Sequence, residues 1–149
     1  MLSLSAERVV HAPIGAVWRA VIDFRGYPRW TGAAVVVEDA AEAGALVYRI
    51  RVGTPGRPVR TWSFPGHIQA QEAPRRISWR CGMSALFGVQ ISFELTPRAG
   101  VTEVRHTARI TGIVTLLRPV ALRRILQPAL DRMVRDLEAE ARRGRRRGA

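Results

Sequence analysis

The spacing of hydrophobic residues changes twice along the chain, and its first part is helical. Residues 3–11 predict a strand, after which apolar residues recur at steps of three and four from Ile14 to Ile22, as in an amphipathic helix. Pro13 suits the first turn of that helix because its missing N–H is not needed there. Arg25-Gly26 ends the pattern, and residues 27–32 predict a turn or a second short helix.

The middle of the chain alternates between apolar and polar residues, which is the pattern of strands covered on one face. Such runs predict strands at residues 46–52, 60–64, 77–81, 87–95 and 102–110. Several are separated by short turns rich in Pro and Gly. Clean alternation with short turns favours antiparallel pairing.

The last segment returns to helical spacing, with one apolar stripe along Leu122, Leu126, Leu130, Met133, Leu137 and Ala141. Pro119 suits the start of this helix, whereas Pro128 lies inside the stripe and is expected to kink or split it. The predicted order is a strand, one or two short helices, about six antiparallel strands and one long helix. This order indicates an α+β fold whose sheet curls around the final helix.

Length and composition predict one folded domain. The chain has 149 residues, 47% of them apolar, which is enough for a single core and excludes wholesale disorder. No apolar run approaches the roughly 20 residues of a membrane span, and no secretory signal is visible at the start. We therefore expect a cytoplasmic protein with a domain over residues 1–143 and a basic, disordered tail over residues 144–149.

Charge is the most unusual feature of the composition. Twenty-four Lys and Arg against twelve Asp and Glu give a formal net charge of +12. All of the basic residues are Arg, which fits the coding bias of a GC-rich genome. Such a charge still attracts polyanions, acidic proteins or anionic membranes.

Common catalytic and cofactor motifs are absent from the sequence, which contains no GxGxxG, HExxH or GxSxG pattern. His11, His67 and His106 are scattered, with no carboxylate or thiolate at ligand spacing. We therefore predict no metal site and no cofactor. Cys81 has no second cysteine to pair with, and a lone Cys on an apolar strand face is typical of a small core residue.

A set of short motifs, in order, is similar to a known superfamily. The segments are residues 12–18, 23–30, 73–80, 93–97 and 100–104, followed by Thr111-Gly112. Together they resemble the START-like (SRPBCC, Bet v 1-like) helix-grip superfamily, and its polyketide cyclase/dehydratase-like branch, from residue 3 to about 142. The resemblance implies a curved antiparallel sheet of about six or seven strands around a long C-terminal helix. It also implies a cavity between sheet and helix that holds an apolar or aromatic ligand.

One departure from this branch bears on catalysis. In its aromatases, the strand after the match to Arg60-Thr61-Trp62 carries a hydroxyl and an arginine that face the cavity. Gly66 and Ile68 stand at those places in this sequence. The resemblance therefore leaves two functions open, since a fold does not fix a reaction. One is cyclisation or dehydration of a polyketide-type intermediate, and the other is non-catalytic carriage or sequestration of such a ligand.

In the enzyme reading, His106, Arg60 and Tyr48 supply proton transfer and oxyanion stabilisation. The period-two neighbours of His106 are apolar, so its ring is expected on the covered face, and its unperturbed pKa of about 6.5 suits proton transfer. Arg60 shares a face with Trp62 and Phe64 and is a candidate anchor for a ligand carbonyl. The alternatives are a core histidine bonded to a buried partner and an arginine that reaches water at the sheet edge.

The candidate ligand-binding residues are apolar positions on the covered faces of the strands and on the final helix. They are Trp30, Trp62, Phe64, Trp79, Phe87, Val89, Ile91, Phe93, Leu122, Leu126 and Leu130. A cavity lined by such rings suits a planar polycyclic or polyene ligand. The alternative is that the same residues simply fill the core.

The expected partners follow from the cavity and from the charge. Besides a hydrophobic or aromatic small molecule, we expect an acidic acyl carrier protein, because Arg123, Arg124, Arg132 and Arg135 lie on the final helix beside the expected cavity mouth. A solubilising surface is the open alternative. Specific nucleic-acid binding is not expected, since no recognition helix or stacking platform is evident. The chain is expected to be a monomer or a homodimer.

Overall fold

The computed structural model describes residues 1–53, 56, 58–83 and 86–147. The strands in this part of the chain are β1 (Leu2–Val10), β2 (Ala34–Glu38), β3 (Ala45–Val52), β4 (Arg60–Glu72), β5 (Arg76–Met83), β6 (Phe87–Arg98) and β7 (Val101–Thr111). The helices are α1 (Ile14–Ile22), a short 3-10 helix (Phe24–Gly26), α2 (Tyr27–Trp30), α3 (Val114–Leu117) and α4 (Pro119–Arg147). The strands form one antiparallel sheet in the order β1-β7-β6-β5-β4-β3-β2. The predicted helix-grip fold is confirmed.

The concave face of the sheet and α4 enclose the hydrophobic core. Alternation along the strands places apolar side chains on this face, where Ile91 of β6 lies opposite Ala108 of β7 and both are buried. The apolar stripe predicted for the final helix is buried over its whole length: Leu122, Leu126, Leu130, Met133, Leu137 and Ala141. Burial of this stripe is the main hydrophobic contribution that holds α4 on the sheet.

Polar contacts fix the position of α4 along β1. The side-chain amide of Gln127 donates to the backbone carbonyl of Ser5 at 2.9 Å. Arg8 forms an ion pair with Glu138, about three turns further along the helix. These contacts set the register between helix and strand, which apolar packing alone specifies weakly.

The segment between β1 and β2 closes the core at the end where β1 finishes. Pro13 is extended and immediately precedes α1, as its position in the sequence predicts. Asp23 caps the following 3-10 helix by accepting from the backbone N–H of Gly26 at 3.2 Å. The buried hydroxyl of Tyr27 donates to the carbonyl of Val21 at 2.5 Å, so the ring is anchored within the core.

The strand that was predicted for residues 60–64, with a break at Pro65-Gly66, continues through both of these residues to Glu72. The ladder between β4 and β5 begins only at Gly66, which pairs with Cys81. Pro65 lies just outside that ladder and pairs with β3 alone. A proline is tolerated in a strand where one side needs no N–H donor, and the expected break was therefore wrong.

Two short elements were not predicted, and one predicted break in a helix is absent. No strand was predicted at β2 and no helix at α3. The final helix runs without interruption through Pro128, so the expected split does not occur. Leu126 and Leu130 are buried on either side of this exposed proline, and their packing holds both turns against the sheet. Residues 144–147 of the expected tail continue the same helix.

The candidate site lies at one end of the sheet, which we call the pocket end. It is formed where β1, β4 and β6 begin and where β3 and β7 end. The register places these ends together: Leu2 pairs with Ile110, and Val52 pairs with Arg60. The connection from β7 into α3 and α4 crosses this end of the fold.

Candidate functional site

An open, apolar pocket of about 620 Å³ lies at the pocket end, between the sheet and the α3–α4 segment. Its walls are Thr61, Trp62, Ser63, Phe64, Leu86, Phe87, Ile113, Val114, Leu117 and Leu122. These residues come from β4, from the start of β6, from α3 with the residue before it, and from α4. Sheet, connection and final helix therefore all contribute to one concave surface.

Aromatic rings form the inner wall of this pocket. Trp62 and Phe64 alternate onto the same face of β4 and are half-buried. The ring of Phe64 lies 5.1 Å from that of Phe87, centroid to centroid, at an interplanar angle of 36°. Such tilted, offset rings present a continuous apolar surface on which a flat ligand can pack.

A row of aromatic side chains leads from this wall into the core. Tyr48 of β3 pairs in register with Phe64, and its ring is 5.7 Å from that of Trp79. The ring of Trp79 is 6.2 Å from that of Phe93, which stacks on His106 at 4.0 Å and 13°. We call these five residues the aromatic row. It connects the pocket to the leading candidate for proton transfer.

His106 lies at the inner end of the row and is neutral at physiological pH. Its side chain is 2% exposed, and burial lowers the pKa of the imidazole to about 4. Nδ1 is 3.1 Å from the backbone oxygen of Ser92. Because a carbonyl only accepts, Nδ1 carries the proton and Nε2 carries the free lone pair.

Distance along the sheet separates His106 from the open pocket. His106 pairs with Phe93, six residues along β6 from Phe87 in the pocket wall. That spacing corresponds to about 20 Å of extended strand. A ligand confined to the open pocket therefore does not touch the imidazole.

Two other buried groups, Tyr48 in the row and Cys81 beside it, stay protonated. Burial raises the pKa of the Tyr48 phenol well above its ordinary value, so that the hydroxyl remains a hydrogen-bond donor. Burial likewise raises the pKa of the Cys81 thiol to about 12. Cys81 is free and buried, and a thiol with this pKa is a poor nucleophile. These properties fit the core role expected for this cysteine.

The indole N–H of Trp79 is a buried donor without a partner among the described residues. Buried polar groups in folded proteins are nearly always hydrogen-bonded, and an exception calls for an explanation. Its ring neighbours are apolar or aromatic side chains: Phe24, Tyr48 and Phe93. The donor is therefore free to bond an acceptor atom that enters the row.

The structure brings only part of the predicted ligand-binding set together. Trp62, Phe64, Phe87 and Leu122 line the open pocket. The others are buried in the core: Trp30, Trp79, Val89, Ile91, Phe93, Leu126 and Leu130. Among the predicted catalytic residues, Tyr48 and His106 belong to the aromatic row, whereas Arg60 is exposed as the first residue of β4.

Several pocket residues were missed by the sequence analysis. Leu86, Ile113, Val114 and Leu117 lie in or beside short connections, where no long periodic pattern reveals which side chains face inward. The available signal was composition, because an apolar run directly after Gly112 is unusual for an exposed connection.

A second pocket, of about 840 Å³, has a different character. It lies beside the connection between β2 and β3, and its charged wall residues are Glu38, Asp39, Glu42 and Arg80. Charged walls do not suit an apolar ligand. No group of three or more His, Cys, Asp or Glu in the described residues is arranged to hold a metal ion.

Comparison with known proteins agrees with this architecture. Residues 1–142 match the family described as polyketide cyclase / dehydrase and lipid transport. The chain belongs to this family. No curated protein sequence matches the chain. No helix in the described part of this polyketide cyclase/dehydrase family member combines the length and hydrophobicity needed to cross a bilayer.

Solved structures of similar proteins share the fold. The protein TTHA0849 from Thermus thermophilus has a TM-score of 0.71 at 17% identity, with 95% of this chain and 97% of that chain covered. The Zhui aromatase/cyclase from a Streptomyces species has a TM-score of 0.66 at 18% identity, with 95% and 93% covered. The di-domain ARO/CYC StfQ of the steffimycin biosynthetic pathway has a TM-score of 0.62 at 17% identity, with 99% and 53% covered. Identities this low show a common fold alone.

Proposed function

We propose that this family member binds an apolar, aromatic small molecule of the polyketide type in the open pocket at the pocket end. The observation that carries the proposal is the pocket itself, whose walls are almost entirely apolar and include the paired rings of Phe64 and Phe87. Its volume of about 620 Å³ lies within the range of roughly 300–1,000 Å³ usual for small-molecule sites. Membership of a polyketide cyclase/dehydrase family supports an aromatic or polyketide ligand.

The first test exploits two neighbouring leucines on α3. Leu117 lines the pocket, whereas Leu116 does not, and both are largely exposed, at 73% and 80%. Either residue can therefore be changed without disturbing the core. Leu117→Asp is expected to weaken binding of the neutral fluorophore N-phenyl-1-naphthylamine by at least about tenfold, since a charge replaces apolar contact area.

Fluorescence titration of wild type, Leu117→Asp and Leu116→Asp measures this effect. The matched variant Leu116→Asp adds the same charge one residue away and is expected to keep the wild-type dissociation constant. Equal affinity in all three proteins would place the fluorophore elsewhere. Equal loss in both variants would show a general effect of the added charge and would contradict the pocket assignment.

A second candidate function, cyclisation or dehydration, is favoured by the aromatic row. A ligand that extends from the pocket along this row would meet the Tyr48 hydroxyl and the Trp79 N–H, two donors for a carbonyl oxygen. At the inner end, Nε2 of His106 would take a proton from a carbon next to another carbonyl of the same poly-β-ketone chain. The low pKa of His106, about 4, makes it a weak base until a bound ligand changes its surroundings. Binding is therefore the better supported function.

A turnover assay distinguishes the enzymatic function from carriage of the ligand. With a poly-β-ketone substrate, an enzyme is expected to change the product profile, and His106→Gln and Tyr48→Phe are expected to lower the rate of that change by about a hundredfold. Leu116→Asp serves as the control that should leave the profile intact. An unchanged product profile despite tight ligand binding would assign the protein to carriage or sequestration.

A further inference from the structure

Exposed hydrophobic residues are concentrated at one end of the molecule. Among the described residues, nine large hydrophobic side chains are exposed, and seven of them lie at the pocket end. The seven are Met1, Val59, Leu86, Ile113, Leu116, Leu117 and Val120. Only Val9 and Val37 lie elsewhere. Scattered exposed apolar residues are ordinary, but a cluster of this kind marks an interaction surface.

The cluster surrounds the mouth of the proposed ligand pocket. It is contributed by the residues immediately before β1, β4 and β6 and by the α3–α4 segment with the residue before it. Leu86, Ile113 and Leu117 belong both to the cluster and to the pocket wall. The apolar interior of the pocket is therefore continuous with an apolar rim.

The segments that surround the pocket mouth supply only positive charge. No Asp or Glu occurs between Glu42 and Glu72, or between Glu103 and Asp131, and these two stretches supply β3, the start of β4, α3 and the start of α4. The exposed arginines of these segments that lie nearest the pocket mouth are Arg51, Arg60, Arg118, Arg123 and Arg124.

These arginines also lack acidic partners within the protein. In the described part of the chain, none of Arg118, Arg123 and Arg124 forms an ion pair. Several arginines elsewhere do form ion pairs, as Arg98 does with Glu103 at 3.0 Å and Arg105 with Glu7 at 2.8 Å. The positive charge at the pocket end is therefore available to an external anion.

We propose that the pocket end docks on an anionic lipid bilayer. Leu116 and Val120 insert at the level of the headgroups, while Arg118, Arg123 and Arg124 contact lipid phosphates. An apolar surface rimmed by arginines is the combination that holds a protein at a membrane interface. If the pocket binds an apolar ligand as proposed above, its mouth opens toward the phase in which such a ligand dissolves, so the ligand passes without crossing water.

Two other occupants fit this surface less well. A symmetric pair of copies would bring the two sets of unpaired arginines together, and like charges oppose such an interface. An acidic acyl carrier protein would match the arginines. The apolar residues, however, come from four separate segments around one opening, and a continuous apolar phase covers all of them at once.

Vesicle flotation tests the proposal with the full-length protein. Wild type is expected to float with vesicles of phosphatidylcholine that contain phosphatidylglycerol, and to float poorly with phosphatidylcholine alone. Arg123→Gln/Arg124→Gln is expected to lower the partition coefficient about 25-fold, at about fivefold per arginine. Leu116→Asp/Val120→Asp is expected to lower it at least about tenfold.

Matched control variants make the same types of substitution away from the pocket end. Val9→Asp/Val37→Asp adds two charges at the exposed apolar positions away from the pocket end, and Arg98→Gln/Arg105→Gln removes two arginines from the opposite end of the sheet. Both controls should partition like wild type apart from the small effect of net charge. Equal decreases of the partition coefficient in the test and control variants would show that only overall charge matters, and would overturn the proposal.

The remaining outcomes are also decisive. Failure of the wild type to float with anionic vesicles overturns the proposal. Tight binding to an acidic acyl carrier protein without vesicle binding would assign the arginines to that partner instead. Neither Leu116 nor Val120 lines the ligand pocket, so Leu116→Asp/Val120→Asp should still bind N-phenyl-1-naphthylamine. If wild type does not bind the fluorophore, the proposed pocket function is wrong, whereas the membrane proposal is still decided by the vesicle result.

Discussion

The free energy of unfolding is expected to fall by about 3 kcal/mol as the pH is lowered from 6.5 to 4, because of His106 alone. Burial lowers the pKa of this imidazole from 6.5 to about 4 in the folded protein. The unfolded chain therefore binds a proton in this interval that the folded chain does not bind. Protons shift the equilibrium toward the state that binds more of them. The stability that depends on neutral His106 is therefore fully present above pH 6.5 and is lost as the pH falls to 4.

Urea unfolding of wild type and His106→Gln across this interval measures the contribution. Carboxylates titrate in both proteins, so the difference between their two pH profiles isolates the histidine. His106→Gln is expected to show a shallower loss of stability than wild type. Parallel profiles for wild type and His106→Gln would contradict the assigned pKa.

The inward position of His106 illustrates what sequence alone can predict. Its period-two neighbours in β7 are apolar, and the structure places the ring on the covered face, as this alternation predicted. The same reasoning located β3, β5, β6, β7 and the stripe of α4. These predictions succeed because one-sided burial imposes a local period that a single segment displays by itself.

The pocket could not be predicted in the same way. Trp79 and Trp62 both lie on the covered face, but Trp79 is buried in the core whereas Trp62 lines the opening. Alternation assigns a residue to a face of the sheet and leaves open its distance from the end of the sheet. This distance decides whether the residue is buried in the core or lines the pocket. β2 escaped prediction because its Ala-Val run shows no alternation. α3 is too short to display a helical period.

Gly112→Ala is expected to destabilise the protein by about 3 kcal/mol and to weaken ligand binding. Gly112 joins β7 to the residues before α3 and has a φ of 105°, a conformation that side chains rarely adopt. A Cβ atom there would lie 2.7 Å from the carbonyl carbon of Leu86 and 2.9 Å from the amide nitrogen of Phe87. These are backbone atoms, so relief requires the two pocket walls to separate.

Gly100→Ala separates the effect of strain from that of contact. Gly100 has a φ of 85°, and a Cβ atom there would meet nothing within 4 Å. This variant is expected to lose only about 1 kcal/mol, the cost of the left-handed conformation, and to keep wild-type affinity for N-phenyl-1-naphthylamine. Gly112→Ala should lose more stability and bind the fluorophore more weakly, because Leu86 and Phe87 both line the pocket. Equal losses of stability in the two variants, with unchanged affinity, would mean that the β7–α3 connection does not hold the pocket in shape.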